Sequence, residues 1–182
     1  MRAAAALVLA VALAGCGGNA AVTAPRTFDL GLAAPAMKFP ALRGVSIRAV
    51  APFDGVEMQY RLAWRHASEL ADYANSRWAA PPGEMLRKQL LRAAGEGVGK
   101  CVLEIELHEF TQVFASKEAS EARVELRAAL TNAAARVAAR GIAVTEAGAG
   151  ADAASGAVAM ARAAERALGE MAGWLQSQPA CQ

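Results

Sequence analysis

The sequence predicts an α+β fold: a mainly antiparallel sheet, formed by a hairpin, a helix and a three-strand meander, with two helices packed on it. Several stretches alternate apolar and polar residues, as half-buried strands do, and two stretches repeat apolar residues at helical spacing. The chain has 182 residues, with 19 Lys and Arg against 17 Asp and Glu. This near balance is typical of a globular domain and lacks the basic character of a nucleic-acid-binding protein.

The first predicted unit is a β-hairpin. Residues 43–52, "RGVSIRAVAP", place Val45, Ile47 and Ala49 on one side of a strand. Residues 58–65, "MQYRLAWR", alternate again, and the apolar side is formed by Met58, Tyr60, Leu62 and Trp64. We expect the "FDG" turn at residues 53–55 to close the two strands into a hairpin.

A helix follows the stretch "SRWAAPPGEML" at residues 76–86. Pro81 and Pro82 end the extended chain, and proline is tolerated in the first helical turn. Glu84 then lies where the helix dipole favours negative charge. The apolar stripe consists of Leu86, Leu90, Ala93 and Ala94, and Gly95 is expected to end the helix.

The second half of the chain predicts the meander and a long helix. Alternation over residues 101–114, 122–131 and 136–147 indicates three strands, the last of them weaker in pattern. A helix is expected from Ser155 to about Gln176. Its apolar face consists of Ala161, Ala164, Leu168, Met171, Trp174 and Leu175.

The N-terminus has the form of a secretory signal peptide over residues 1–15, with Arg2 before a short apolar run. The run is too short to span a bilayer as a helix. Its end, "LAGC", resembles the bacterial lipobox, which implies that Cys16 is acylated after cleavage. Residue 17 is Gly rather than the Asp typical of inner-membrane retention, so the resemblance implies an outer-membrane anchor facing the periplasm. The alternative is an ordinary signal peptide with a chance Cys.

The rest of the chain divides into a tether and one domain. Residues 16–27 are small and Gly/Ala-rich, which indicates a flexible tether behind the lipidated Cys16. Residues 28–178 are long enough for a single domain with its own core. Besides Cys16, the chain contains Cys101 and Cys181. Either these two form a disulfide in the oxidising periplasm, or Cys101 is a buried strand residue and Cys181 is free.

The sequence contains no convincing catalytic motif. His66 and His108 have no metal-ligand spacing, and "GEGVG" at residues 95–99 lacks the Lys and Ser/Thr of a phosphate loop. Glu104 and Glu106 share one face of a strand, but nearby arginines favour an ionic surface over two-carboxylate catalysis. We therefore expect a binding or scaffolding protein that is not an enzyme and needs no cofactor or metal.

Six blocks in order resemble the ABC-type transport auxiliary lipoprotein family, of the paraquat-inducible protein C type. They are the lipobox, "FDLG" at 28–31, "VSIRAVAPFDGVEMQYR" at 45–61, "LADYANSRWAAPPGEMLRKQL" at 70–90, "LEIELHEFTQVF" at 103–114 and "ERALGEMAGWL" at 165–175. The Ala-rich residues 131–154 depart from the family pattern.

The resemblance implies an outer-membrane-anchored, non-catalytic subunit of an intermembrane lipid transport system. Its partners would be an MCE-domain substrate-binding protein with an ABC permease and ATPase. Family members assemble as rings, so a homo-oligomer is also implied. Two other functions remain open: a carrier lipoprotein that encloses lipid, and an assembly lipoprotein of another envelope machine.

The predicted partner-binding residues lie in one loop. They are Tyr73, Arg77, Trp78, Pro81 and Pro82, with the prolines expected to stiffen the loop and the aromatic side chains to contact the partner. The alternative is that Tyr73 and Trp78 fold back onto the sheet and fasten the loop.

Overall fold

The computed structural model describes residues 24–31, 37–93, 98–133 and 135–181. The strands are β1 (Arg26–Phe28), β2 (Gly44–Ala49), β3 (Glu57–Leu62), β4 (Ala71–Trp78), β5 (Val102–Phe114), β6 (Ser120–Thr131) and β7 (Arg136–Ala147). The helices are α1 (Pro82–Ala93) and α2 (Ala153–Gln176), and a 3₁₀ turn occupies Pro179–Cys181. The α+β class and the two helices are as the sequence predicts.

The sheet contains both parallel and antiparallel pairs, so the prediction of a mainly antiparallel sheet, built from a hairpin and a meander, is wrong. Seven strands form one sheet in the order β1-β4-β3-β5-β6-β7, with β2 also paired to β5. Pairs β1/β4, β2/β5 and β3/β5 are parallel. Pairs β3/β4, β5/β6 and β6/β7 are antiparallel. Antiparallel pairing of consecutive strands is therefore confined to part of the sheet.

The predicted hairpin of β2 and β3 is wrong. Both strands run parallel to β5 along the same edge, β2 beside Val102–Leu107 and β3 beside Gln112–Phe114. The turn between them carries the chain from the first half of this edge of β5 to the second half without reversing its direction. Phe53 at the centre of that turn is buried, and its N–H donates to the Val50 carbonyl. Burial of Phe53 thus holds the turn against the core.

Both helices pack on one face of the sheet. Gly83 of α1 approaches β2 closely, since a Cβ at this position would lie 3.4 Å from the Ala49 nitrogen. α2 packs across β6 and β7. Between α2 and the sheet, the side chains with 0% exposure include Ala163, Ala164, Ala167, Leu168, Met171, Val124 and Leu130. Close packing of this kind gives the domain a continuous core between two layers.

A β-bulge keeps the long strand β5 facing this core. Leu103, Ile105 and Leu107 point inward, and the register with β6 then shifts between Leu107 and Glu109. After the shift the even-numbered residues point inward, so Phe110 is 1% exposed. Without the extra residue, Phe110 would point to the opposite face of the sheet, where Glu106 and Glu109 form ion pairs.

The N-terminal strand extends the domain a little beyond the predicted boundary. Arg26 and Thr27, assigned to the tether by composition, pair with Ser76 and Arg77 of β4. The signal peptide, Cys16 and the remaining tether residues up to 23 lie outside the described residues. Gly95, predicted to end α1, also lies outside them.

Within the part of the chain that the structure describes, no helix combines the length and apolar character that crossing a bilayer requires.

Candidate functional site

The predicted partner-binding loop is in fact strand β4 followed by the start of α1. β4 is paired on both sides, with Phe28 of β1 opposite Trp78 and Glu57 of β3 opposite Arg77. Backbone pairing therefore makes residues 71–78 extended despite their weak apolar alternation. The prolines act after the strand rather than within a loop.

Trp78 packs back into the core. Its side chain is 2% exposed, and its ring meets the edge of Phe110 at 5.3 Å between centroids. Its backbone N–H donates to the Val56 carbonyl at 2.8 Å. Among the described residues, the buried indole N–H finds no hydrogen-bond acceptor. Trp78 therefore contributes to the domain interior and presents no surface to a partner.

The other residues of this stretch differ in exposure. Arg77 is exposed on β4. Pro82 is buried and begins α1, and the Pro81 carbonyl accepts the N–H groups of Glu84 at 2.9 Å and Met85 at 3.2 Å. The two prolines thus fix the first turn of α1, and Arg77 is the member of the set most accessible to another molecule.

Tyr73 begins a partly buried hydrogen-bond chain. Its hydroxyl donates to Gln112 Oε1 at 2.8 Å, and Gln112 Nε2 donates to Ser120 Oγ at 2.8 Å. Ser120 Oγ in turn donates to the Gly150 carbonyl at 2.9 Å. Burial, with smaller effects from Tyr60 and Asp152, raises the pKa of Tyr73 well above its usual value. The chain links β4, β5, β6 and the approach to α2.

Gly156 makes room for this hydrogen-bond chain. A Cβ at Gly156 would collide with the carboxamide of Gln112, which is 1% exposed. Only glycine allows the first turn of α2 to pass so close to a buried, hydrogen-bonded amide.

An aromatic pocket opens beside Tyr73 at the end of the sheet where β3 and β5 terminate. We define it by its lining residues, Tyr60, Leu62, Trp64, Tyr73, Phe114, Ser116, Lys117 and Ala151, and its volume is about 270 Å³. The Tyr60 ring lies 4.6 Å from that of Tyr73 and 6.0 Å from that of Phe114. Three strands therefore bring these rings together.

Trp64 is the exposed wall of the aromatic pocket. It is 44% exposed, and the Lys117 ammonium lies 5.9 Å from its ring centroid. The sequence places Trp64 on the buried side of a strand to residue 65, but β3 ends at Leu62, opposite the last residue of β5. Once that pairing ends, Trp64 is free to face solvent, and no sequence pattern distinguishes this outcome.

A larger groove runs between β1 and the first turns of α2. Its volume is about 520 Å³, and its walls include Phe28, Leu30, Ala157 and the 55% exposed Val158. Leu30 is held in place because its carbonyl accepts a hydrogen bond from Gln89. Beside it, Gly31 has φ of 81°, a left-handed conformation that explains a glycine at the end of "FDLG".

The sheet face opposite the helices carries paired charges. Arg48 donates to Glu106 at 2.5 Å, and His108 lies 3.3 Å from the same carboxylate. These two contacts, Arg48 first, hold the pKa of Glu106 below its usual value. Arg61 similarly contacts Glu109 at 3.4 Å. Glu106, one of the two carboxylates singled out in the sequence, thus belongs to an ionic surface.

Cys101 and Cys181 are joined in a disulfide, with their Cα atoms 5.2 Å apart. Both residues are buried, and the bond fastens the C-terminal 3₁₀ turn to the start of β5. This is the first of the two alternatives that the sequence leaves open.

Cys16, the predicted lipidation site, lies outside the described residues, and the binding roles of Tyr73 and Arg77 stay predictions. Among the residues that it does describe, no three His, Cys, Asp or Glu side chains are grouped closely enough to hold a metal ion.

Solved structures that resemble this chain include two with the same fold. Protein XCC0632 from Xanthomonas campestris, described as a DUF330 protein, has a TM-score of 0.66 and 24% identity, over 83% of this chain and 92% of its own. A protein described only as uncharacterized has a TM-score of 0.63 and 13% identity, over 84% of this chain and 97% of its own. At these identities the likeness concerns the fold alone. No family model and no curated protein matches the chain.

Proposed function

We propose that this protein is an outer-membrane lipoprotein that serves as a non-catalytic auxiliary component of an ABC/MCE-type intermembrane lipid transport system. The observation that carries the proposal is the lipobox ending at Cys16, followed in order by five further blocks of the auxiliary lipoprotein family. Acyl chains on Cys16 hold the domain at the outer membrane, since each buried CH₂ contributes about 0.8 kcal/mol. The folded domain then serves as a docking point for the MCE-domain protein and its permease and ATPase.

The contacts within the family-like blocks support a common scaffold. "FDLG" supplies β1 and the Leu30 carbonyl that Gln89 of the fourth block binds. Trp78 of the fourth block packs on Phe110 of the fifth. Blocks that are distant in sequence thus contact one another, as expected if together they form the core of one domain.

A non-catalytic role agrees with the state of Glu106, one of the two carboxylates that the sequence singles out, and of its neighbour Glu109. Glu106 is engaged by Arg48 and His108, and Glu109 is engaged by Arg61 and the Thr111 hydroxyl. The lowered pKa of Glu106, which Arg48 and His108 cause, makes this carboxylate a poor proton donor near neutral pH.

An adaptor is favoured over a carrier that encloses lipid, because the space between α2 and the sheet is filled. Met160, Leu168 and Met171 in that layer are at most 2% exposed. An acyl chain has no room there without displacing core side chains. One observation keeps the carrier as a second candidate: the open apolar groove beside Phe28 and Val158. Native mass spectrometry that finds a non-covalent phospholipid, lost in Val158→Glu, favours that candidate.

The test of the adaptor is crosslinking in intact envelopes followed by purification of this protein through a C-terminal tag. We expect the MCE-domain protein and its permease to be recovered covalently attached. Their absence from the crosslinked products, with the protein itself recovered at normal levels, contradicts the proposal. The same experiment reports on self-association as a ring and on any other envelope machine.

A pair of charge reversals tests whether β4 takes part in docking. Arg77→Glu changes an exposed residue of β4, and Arg87→Glu changes an exposed residue of α1. We expect the first variant to lose crosslinked partner and the second to retain it. Equal recovery of partner with both variants removes Arg77 from the binding surface.

A further inference from the structure

We infer that the aromatic pocket end of the domain contacts the surface of the phospholipid bilayer in which Cys16 is anchored, with Trp64 entering the interfacial layer. This inference rests on the proposed function, because it requires the acylated Cys16. It adds an orientation of the domain and names a lipid-contacting residue.

The first argument is the direction of the chain. β1 is parallel to β4, so the chain before Arg26 approaches from the end of the sheet where β4 begins, at Ala71. Ala71 pairs with Tyr60 next to the end of β3. The chain that carries the anchor therefore enters the domain from the side of the aromatic pocket.

The second argument is distance. Thr27 lies level with Glu57, since both pair with Arg77. Glu57 is five residues from Leu62 (62 − 57), which corresponds to about 16 Å of strand. From Cys16 to Thr27 there are eleven residues (27 − 16), which span at most about 38 Å. The anchor thus reaches a bilayer beneath the aromatic pocket with length to spare, whereas the opposite end of the sheet requires the chain to turn back along the domain.

The third argument is the chemistry of that end. Trp64 is 44% exposed beside Lys117, and Tyr60 and Tyr73 line the pocket behind it. Tryptophan and tyrosine concentrate at the bilayer interface, where an apolar ring and a polar edge are both accommodated, and lysine places its ammonium among the headgroups. An exposed indole at this place fits the membrane surface.

This end of the domain carries no excess of positive charge in its loops, which restricts the kind of contact. The loops after β3 and after β5 contain the cations Arg65 and Lys117 and equally many anions, Glu69 and Glu118. Asp152, whose charge acts on Tyr73, adds a further negative charge beside the pocket. We therefore assign the contact to the aromatic side chains, and we expect little dependence on the fraction of anionic lipid or on salt.

The experiment uses the mature lipidated protein in vesicles of phosphatidylethanolamine and phosphatidylglycerol, with or without bromine on the acyl chains. Bromine quenches only tryptophan that reaches the bilayer. The chain has three tryptophans, and Trp78 and Trp174 are 2% and 8% exposed. We expect brominated lipid to lower the total emission by up to about one third, the share of Trp64 alone, if its ring lies at the interface.

The control is Trp64→Phe, a conservative change at an exposed site, checked for an unchanged melting curve. Brominated lipid should leave the emission of this variant unaltered. Three results would each overturn the inference. They are no quenching of the wild type, equal quenching of both proteins, or a Trp64 that is shielded from solvent only when a partner protein is added. The mass of the purified protein separates the two claims: absent acyl groups refute the proposed function, whereas acylated protein without quenching refutes the orientation alone.

Discussion

Trp78→Ala tests whether the indole at the end of β4 belongs to the core or to a binding surface. A tryptophan side chain buries roughly 150–250 Å², which at about 25 cal/mol per Å² gives about 4–6 kcal/mol. The edge contact with Phe110 adds about 0.5–1.5 kcal/mol. Removal of the unpaired indole N–H returns about 1–3 kcal/mol. We therefore expect a net loss of about 4 kcal/mol, within the usual range for buried aromatics.

The assay is urea unfolding of the purified protein followed by circular dichroism, with Trp78→Phe as the matched control. Phenylalanine keeps a ring against Phe110 and removes the unpaired N–H, so its cost should be about 1 kcal/mol or less. An unchanged unfolding midpoint for Trp78→Ala, together with weakened partner binding, refutes the core assignment. Equal losses for both variants show instead that a phenyl ring cannot replace the indole against Phe110.

Three further predictions follow from the geometry. Gly156→Ala should lower the free energy of unfolding by about 1–3 kcal/mol, because the new methyl group displaces a buried amide. Gly169→Ala is the control: the space around this position is open, so the change should raise the free energy of unfolding by up to about 1 kcal/mol. Urea unfolding compares the two variants, and a stabilised Gly156→Ala contradicts the close approach of α2 to Gln112. Reduction of the Cys101–Cys181 disulfide, which closes a loop of 80 residues, should cost about 4 kcal/mol on the chain-entropy account, and an unchanged melting temperature in reductant argues against it. Burial raises the pKa of Tyr73 above its value in the unfolded chain, so the contribution of this group to stability is fully present below about pH 10 and is lost as pH rises further. Phenolate absorbance should show one tyrosine that ionises late, and Tyr73→Phe should remove that signal. A late-ionising tyrosine that persists in Tyr73→Phe contradicts the assignment.

The elements with strong periodicity could be predicted from sequence. β7 spans the predicted residues 136–147, and α2 begins two residues before the predicted Ser155 and ends at the predicted Gln176. In α2 each helical turn contributes apolar residues to one buried face, and in β7 every second residue does so. Burial of one face therefore produces both the sequence pattern and the observed element.

Strand direction and the position of β4 could not be predicted. Turn residues such as "FDG" indicate where a strand ends, but they do not indicate whether the chain then reverses. Here the direction depends on β5, because β2 and β3 both pair with the same edge of that long strand. β4 has small and polar residues such as Ala74 and Asn75, and partners on both sides hold it extended.

The candidate site depends on the same long-range information. Tyr60, Tyr73 and Phe114 lie on three strands, and the aromatic pocket exists only once those strands are in register. Trp64 shows most clearly where apolar–polar alternation fails as a predictor of burial. The alternation places Trp64 on the buried side of the strand, but β3 ends two residues earlier.

The lipid anchor on Cys16 is the claim on which the account rests. Its most direct test is metabolic labelling with a radioactive or clickable fatty acid, combined with membrane fractionation of wild type and Cys16→Ser. The account predicts a labelled wild-type protein in the outer-membrane fraction and an unlabelled variant absent from it. An unlabelled wild type, or a Cys16→Ser protein that remains in the outer membrane and supports transport, contradicts it.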